Sequence, residues 1–162
     1  MPLQKIGLGG GCHWCTEAYF LSLKGVEKVE QGWIASTPPN DAFSEAVLVH
    51  YDPSQIPLPV LIAIHLHTHA ATKAHTFRSK YRSAVYVLEE KIPEIQTLID
   101  VNQADFEAPI ITQALPFVAF RENTENYQDY FRKNKGGPFC DTYILPKLRM
   151  IGAKYAAYFK GL

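Results

Sequence analysis

Nothing in the sequence is apolar for the ~18–20 consecutive residues a membrane-spanning helix needs, so no such helix is expected. Neither sign of charge is in excess, because 16 Lys+Arg offset 16 Asp+Glu. A neutral, unclustered charge pattern suits neither nucleic acid nor an anionic membrane as the main partner. The opening Met-Pro-Leu-Gln-Lys lacks the basic, apolar and cleavage regions of a secretory signal, so a cytoplasmic chain is expected. Cysteine is scarce: three is an odd count and does not make a disulfide framework. In such a chain, cysteines are catalytic, metal-binding or simply buried. Repeats and low-complexity stretches are absent.

What remains suits one domain over residues 1–162 with a real core, since 47% of the residues are apolar and 20% charged. Gln4 to Leu8 reads as a short strand that Gly9-Gly10-Gly11 breaks. Cys12 to about Leu23 reads as a helix, with Ala18 and Leu21, and Tyr19 and Leu23, at helical spacing, and Gly25 closes it. Val26–Ala35 and Glu45–Tyr51 read as strands, the second alternating Ala46, Leu48 and His50 against Val47, Val49 and Tyr51. A Pro-Pro-Asn-Asp turn at 38–41 lies between them. Further elements are a helix from Pro59 to about His67, a strand Ser83–Leu88 and a helix from Ile92 to about Phe106 with Pro93 in its first turn. One or two short strands follow between Ile110 and Phe120, then a helix Glu122–Lys133. From Lys135 the tail is expected to be irregular, then partly helical from Leu148. The resulting β-α-β-β-α-β order predicts an α+β fold with a ferredoxin-like split βαβ core, an antiparallel-rich sheet with helices on one face, and a C-terminal helical or irregular extension.

The chemistry concentrates at Gly9-Gly10-Gly11-Cys12-His13-Trp14-Cys15. Glycines after a strand permit a sharp turn and put Cys12 at a helix N-terminus. Unpaired N–H groups and the helix dipole there favour thiolate over thiol, which lowers a cysteine pKa from its ordinary ~8.5. Cys12 is therefore a candidate nucleophile that needs no metal. The plainer alternative is that Cys12 and Cys15 are small buried residues.

Five motifs in chain order extend the pattern. Gly11-Cys12-His13-Trp14 resembles the Gly-Cys-Phe-Trp signature of class A methionine sulfoxide reductases. Ser44-Glu45-Ala46-Val47 with Tyr51-Asp52-Pro53 resembles that family's His-Ala-Glu-Ala-Val and Tyr-Asp-Pro. Lys80-Tyr81-Arg82-Ser83-Ala84 resembles its Gln-Tyr-Arg-Ser-Ala. Glu125-Asn126-Tyr127-Gln128-Asp129-Tyr130 resembles its Tyr-His-Gln-x-Tyr segment. Phe139-Cys140 and Ile144-Leu145-Pro146-Lys147-Leu148 resemble a Tyr-Cys and Ile-x-Pro-Lys ending. The resemblance spans nearly the whole chain, and its fold is again a split βαβ core.

The resemblance implies thiol-dependent reduction of methionine S-sulfoxide, in proteins or free. Cys12 attacks the sulfoxide sulfur, while a glutamic acid and tyrosine hydroxyls serve the departing oxygen; Glu45 and Tyr81 hold those positions. A carboxyl in an apolar pocket stays protonated more readily, so Glu45 could donate. Taken alone, Glu45 would read as a solvated strand residue and Tyr81 as a packed aromatic. Trp14 fits contact with the substrate's methyl and sulfur, with a core role the alternative. The resulting Cys12 sulfenic acid condenses with a nearby thiol. Cys15 is one helical turn away, and Cys140 follows the flexible Gly136-Gly137-Pro138 loop; the resemblance at Phe139-Cys140, independent of the signature, favours Cys140, with Cys15 as relay or replacement. An external dithiol, most plausibly thioredoxin, would then reduce the disulfide; no bound cofactor is implied.

The sequence departs from the family at three places. His13 replaces phenylalanine and adds a titrating group to the substrate pocket. Phe43, without a hydroxyl, lies where the second tyrosine would be sought. Thr76, beside His75, falls about where an aspartate is expected near the substrate. Two other readings compete. A thioredoxin-like disulfide oxidoreductase would use Cys12 and Cys15 but leave Glu45 and Tyr81 unexplained. A metal-binding module would use His65, His67 and His69 with His75, although on a helix only His65 and His69 share a side and no carboxylate lies close in sequence.

Overall fold

The computed structural model describes residues 3–124, 128–134 and 136–161, with the side chain of Thr76 left aside. Its elements are β1 (Gln4–Gly9), α1 (His13–Leu21), β2 (Val26–Ala35), β3 (Ser44–Tyr51), α2 (Leu58–Thr68), β4 (Ala84–Val87), α3 (Ile92–Asp100), β5 (Gln113–Pro116), β6 (Ala119–Glu122), α4 (Tyr130–Lys133) and α5 (Leu145–Lys154). The strands form one sheet in the order β5-β4-β1-β3-β2-β6. Its central four, β4-β1-β3-β2, are antiparallel throughout. In the split βαβ arrangement β3 fills the gap between β1 and β2, as the element order implies. Only the β4–β5 pair is parallel.

Side-chain alternation decides which face each strand residue covers. Ile6, Leu8, Val29, Val47, Val49, Val85 and Val87 turn toward the helices and join Phe20 of α1, Leu61, Ile62, Ile64 and Leu66 of α2, Ile95 and Ile99 of α3, and Leu148 and Ile151 of α5 in one core. α2 is apolar nearly all round, as a fully packed helix must be. The opposite face carries a smaller cluster of Ile34, Ala46, Leu48, Ala84 and Tyr86, covered by Leu115, Phe117 and Phe120.

Three expected elements differ. Among the described residues of the helix expected over Glu122–Lys133, Tyr130–Lys133 is helical as α4, whereas Glu122 belongs to a strand paired with the free edge of β2. The helix from Ile92 stops at Asp100, and Gln103–Asp105 is a separate 3-10 turn. In the tail, Cys140–Ile144 forms a π turn that runs into α5, three residues before the expected helix start. Glu125, Asn126 and Tyr127 of the fourth motif lie outside the described residues.

Candidate active site

Gly10 has φ +148°, and a Cβ there would press into the His69 ring, 2.7 Å from its Nε2. Only glycine meets both demands, and the turn it permits makes Cys12 the N-cap of α1. The Cys12 sulfur is only partly exposed and faces the exposed first-turn amides. A hydrogen bond from the Cys15 thiol lowers the Cys12 pKa most. Burial opposes this, the Cys15 and Trp14 backbone N–H groups add to the lowering, and the charge of Glu45 opposes it. Cys15 shows the complement: sharing its proton with Cys12, and then burial, push its thiol pKa far up. The arrangement thus favours the thiolate at Cys12 while Cys15 keeps its proton.

Glu45 lies on β3 opposite Trp33 and is 6% exposed. Its Oε1 accepts the His13 backbone N–H at 3.2 Å and lies 3.4 Å from His13 Nε2. Its Oε2 lies 3.6 Å from Lys80 Nζ. The carboxyl therefore sits among donors, not in the apolar pocket expected, because His13 and Lys80 reach it from α1 and from the segment before β4. The His13 ring is buried, and its Nδ1–H donates to Gly32 O at 3.0 Å, since a carbonyl can only accept. This leaves Nε2 facing Glu45.

Lys80 links Glu45 to Tyr81. Its ammonium sits 5.1 Å from the Tyr81 ring centroid, and a hydrogen bond to Tyr81, then the charges of Tyr81 and Glu45, raise its pKa. Tyr81 itself is half-buried. Thr76 opens a 3-10 turn just upstream. Phe43 is exposed on the far side of Trp33, with the Arg121 guanidinium over both rings.

Trp14 is not open on both faces. Tyr130 stacks on it at 4.1 Å with 4° between the planes, and Phe139 meets it edge-on at 5.7 Å. Cys140 is not on a loose loop: it is 1% exposed within the π turn, and burial, then Asp141, raise its thiol pKa. Its charge also acts on Cys15, so the two thiols are close enough to interact.

The sequence reading passed over Glu17. This α1 carboxyl is 1% exposed and accepts from Gln31 Nε2 at 2.9 Å, Asp129 N at 2.7 Å and Tyr130 N at 3.0 Å. Burial raises its pKa against the pull of those three donors. Its signal was available, since a glutamate in a helix face that also carries Ala18 and Phe20 is buried and must be paired.

The histidine cluster divides. His65 Nε2 donates to Gly9 O at 2.8 Å, while His69 uses Nδ1 on His65 O at 2.6 Å and Nε2 on Ser83 Oγ at 2.8 Å. His67 points elsewhere, to Asp105 at 3.3 Å, with its ring on Phe106. Among the described residues no group of three His, Cys, Asp or Glu is arranged to hold a metal ion.

Comparison with known proteins bears on this geometry directly. Residues 4–158 match the family model described as peptide methionine sulfoxide reductase. Peptide methionine sulfoxide reductase MsrA of Psychrobacter arcticus is 32% identical over 171 residues, covering 96% of this chain and 98% of its own. The MsrA of Sulfolobus acidocaldarius is 32% identical over 162 residues, covering 91% and 92%. The fold is similar to that of reduced Mxr1 from Saccharomyces cerevisiae, with TM-score 0.74 at 22% identity over 88% of this chain and 91% of that one. It is similar also to Mxr1 in complex with Trx2, with TM-score 0.63 at 21% identity over 80% and 85%.

Proposed function

The chain belongs to the peptide methionine sulfoxide reductase family and catalyses thiol-dependent reduction of methionine S-sulfoxide, and from this we propose that Cys12 is its nucleophile, Glu45 and Tyr81 its proton-handling groups, and Cys15 the first thiol to resolve the intermediate. The observation that carries the assignment is Cys12 at the N-cap of α1, where the neighbouring Cys15 thiol and the Cys15 and Trp14 backbone N–H groups lower its pKa.

The Cys12 thiolate attacks the sulfoxide sulfur as the oxygen takes one proton. The hydroxyl then passes to the Cys12 sulfur while the bond between the two sulfurs breaks, so the products are methionine and a Cys12 sulfenic acid. The Tyr81 hydroxyl, hydrogen-bonded to Lys80, with Glu45 and His13 alongside, supplies and replenishes that proton. Trp14 and His13 wall the substrate's methyl group, and Thr76 is assigned to substrate binding with them. The Cys15 thiol then attacks the sulfenic sulfur, and its own proton leaves with the oxygen as water. Cys15 precedes Cys140 in this scheme because it already touches Cys12, whereas Cys140 is buried in the π turn. Cys140 serves as the second acceptor, carrying the disulfide outward from Cys15.

An external dithiol of the thioredoxin kind closes the cycle; Mxr1, similar in fold, has been solved in complex with Trx2. No bound cofactor is needed for these steps. The chain works in the cytoplasm, where its three thiols stay reduced. Among the described residues no helix is long and apolar enough to cross a membrane.

Racemic methionine sulfoxide with dithiothreitol tests the nucleophile, the remaining epimers being resolved by chromatography. The expected result is loss of the S epimer alone, abolished in Cys12→Ser. Thioredoxin-driven turnover in Cys15→Ser and Cys140→Ser assigns the resolving order. Loss in Cys15→Ser with trapped sulfenic acid supports the scheme, whereas disulfide formation at full rate in that variant sinks it.

A further inference from the structure

The half-buried Arg78 side chain donates to four backbone carbonyls. Nε donates to Lys73 O at 2.8 Å, and Nη2 donates to Ala70 O. Nη1 donates to two carbonyls at once, Gly10 O at 2.8 Å and Tyr81 O at 2.9 Å. One nitrogen thus joins the glycine turn that carries Cys12 to the residue assigned to proton transfer. The carbonyl before it, Gly9 O, is held by His65, whose neighbour His69 fills the space under Gly10. His69 is fixed in turn by Ser83, which shares a hydrogen bond with Thr112 at 2.7 Å. Both carbonyls of the turn are therefore tied to side chains that no step of the reaction uses.

We propose that Arg78 is a positioning residue that clamps the Cys12 turn and Tyr81 in a single frame. The proposal rests on the assignment of Cys12 and Tyr81 above. A planar guanidinium presents its N–H donors in a rigid fork and can hold four carbonyls in fixed directions. A lysine ammonium is a point donor on a flexible stem and cannot span them. The thiolate at Cys12 depends on aim toward the Cys15 and Trp14 amides, so a turn free to rotate loses both the lowered thiol pKa and the alignment with Tyr81.

The test uses Arg78→Lys and Arg78→Ala in the full chain. Three quantities are read: kcat and KM for methionine sulfoxide with dithiothreitol, the pH midpoint of Cys12 alkylation by iodoacetamide located by peptide mass spectrometry, and the thermal midpoint. In both variants kcat should fall roughly ten- to hundredfold, as small misplacements of reacting groups do. KM should stay within about twofold, since ground-state binding is untouched. The alkylation midpoint should rise, lysine should not rescue, and added guanidinium should restore part of kcat to Arg78→Ala. Wild-type kcat and midpoint in Arg78→Lys would overturn the clamp. So would losses that track the thermal midpoint and ignore guanidinium. If the unaltered chain reduced no sulfoxide while the variants still moved the Cys12 midpoint, the clamp would stand and the reductase assignment would fall.

Discussion

The Cys12 turn and the tail segment Tyr130–Ile144 flank the head of α1, and unlike forces hold them. The turn is gripped through its backbone, with Gly9 O on His65 and Gly10 O on Arg78. The Glu17 carboxyl pins the start of the tail at the amides of Asp129 and Tyr130, and beyond it the tail packs by rings, with Tyr130 and Phe139 on Trp14. Backbone clamps leave a segment one conformation, whereas stacked rings can part and close again. A nucleophile needs the first kind of restraint. A segment that exposes Cys140 in the proposed cycle is better served by the second.

Glycine substitution breaks this comparison most sharply. Gly10→Ala combines an unfavourable φ with collision against His69 and should cost about 4 kcal/mol, with loss of activity, as a strained and overpacked site does. Gly136→Ala, in the tail at φ +87° with nothing within 4 Å of a Cβ, should cost only about 1 kcal/mol. Urea unfolding of the two variants measures the difference, and equal losses would deny it.

Acid should weaken the turn before the tail. Burial, then the His65 carbonyl acting in the opposite sense and the charges of Arg78 and Lys147, leave the His69 pKa at about 4. His65 is likewise held well below its ordinary value, by burial, the neighbouring His69 and Arg78. Both rings are neutral in the folded state and take up protons on unfolding. Stability should therefore be full above about pH 6.5 and fall as pH drops toward 4, by up to about 3 kcal/mol for His69. Urea midpoints over that range should lose this slope in a His69→Gln variant.

Glu17→Ala strands buried amides of the tail and the Gln31 side chain, at a cost of about 2 kcal/mol. Limited proteolysis should then cut the segment between α4 and α5 first, while Cys12 alkylation keeps its rate. Smallest of all, Tyr130→Ala removes one stacked ring, worth about 1 kcal/mol, and should speed alkylation of Cys140 more than that of Cys12.

Local signals made much of this legible. Alternation exposed β2 and β3, and the glycine run after β1 announced a turn with a thiol at a helix head. The four-strand order followed from the succession of elements. The second of the short strands expected up to Phe120 runs on to Glu122, where a helix was expected to start, because its end is set by pairing with β2, far away in sequence. The tail was misread for the same reason, since the Phe139 and Ile144 packing that builds the π turn comes from distant residues. At the site, Cys12, Glu45 and Tyr81 were singled out by type and motif. Lys80, Glu17 and Arg78 act through partners 14 to 113 residues away, or at carbonyls that any residue carries. The histidine spacing suggested a metal, yet His65 and His69 are struts under the turn and His67 faces Asp105.

The two outermost strands, β5 and β6, are four residues long. β5 ends in Pro116, which has no N–H to offer, and β6 presents Arg121 and Glu122. Long, flat, apolar edges invite a second chain to extend the sheet, and short, charged or proline-ended edges refuse it. An enzyme that acts on oxidatively damaged proteins works among chains with exposed strands of their own. Its sheet offers them no template, so encounters with misfolded clients should end in release and not in co-aggregation.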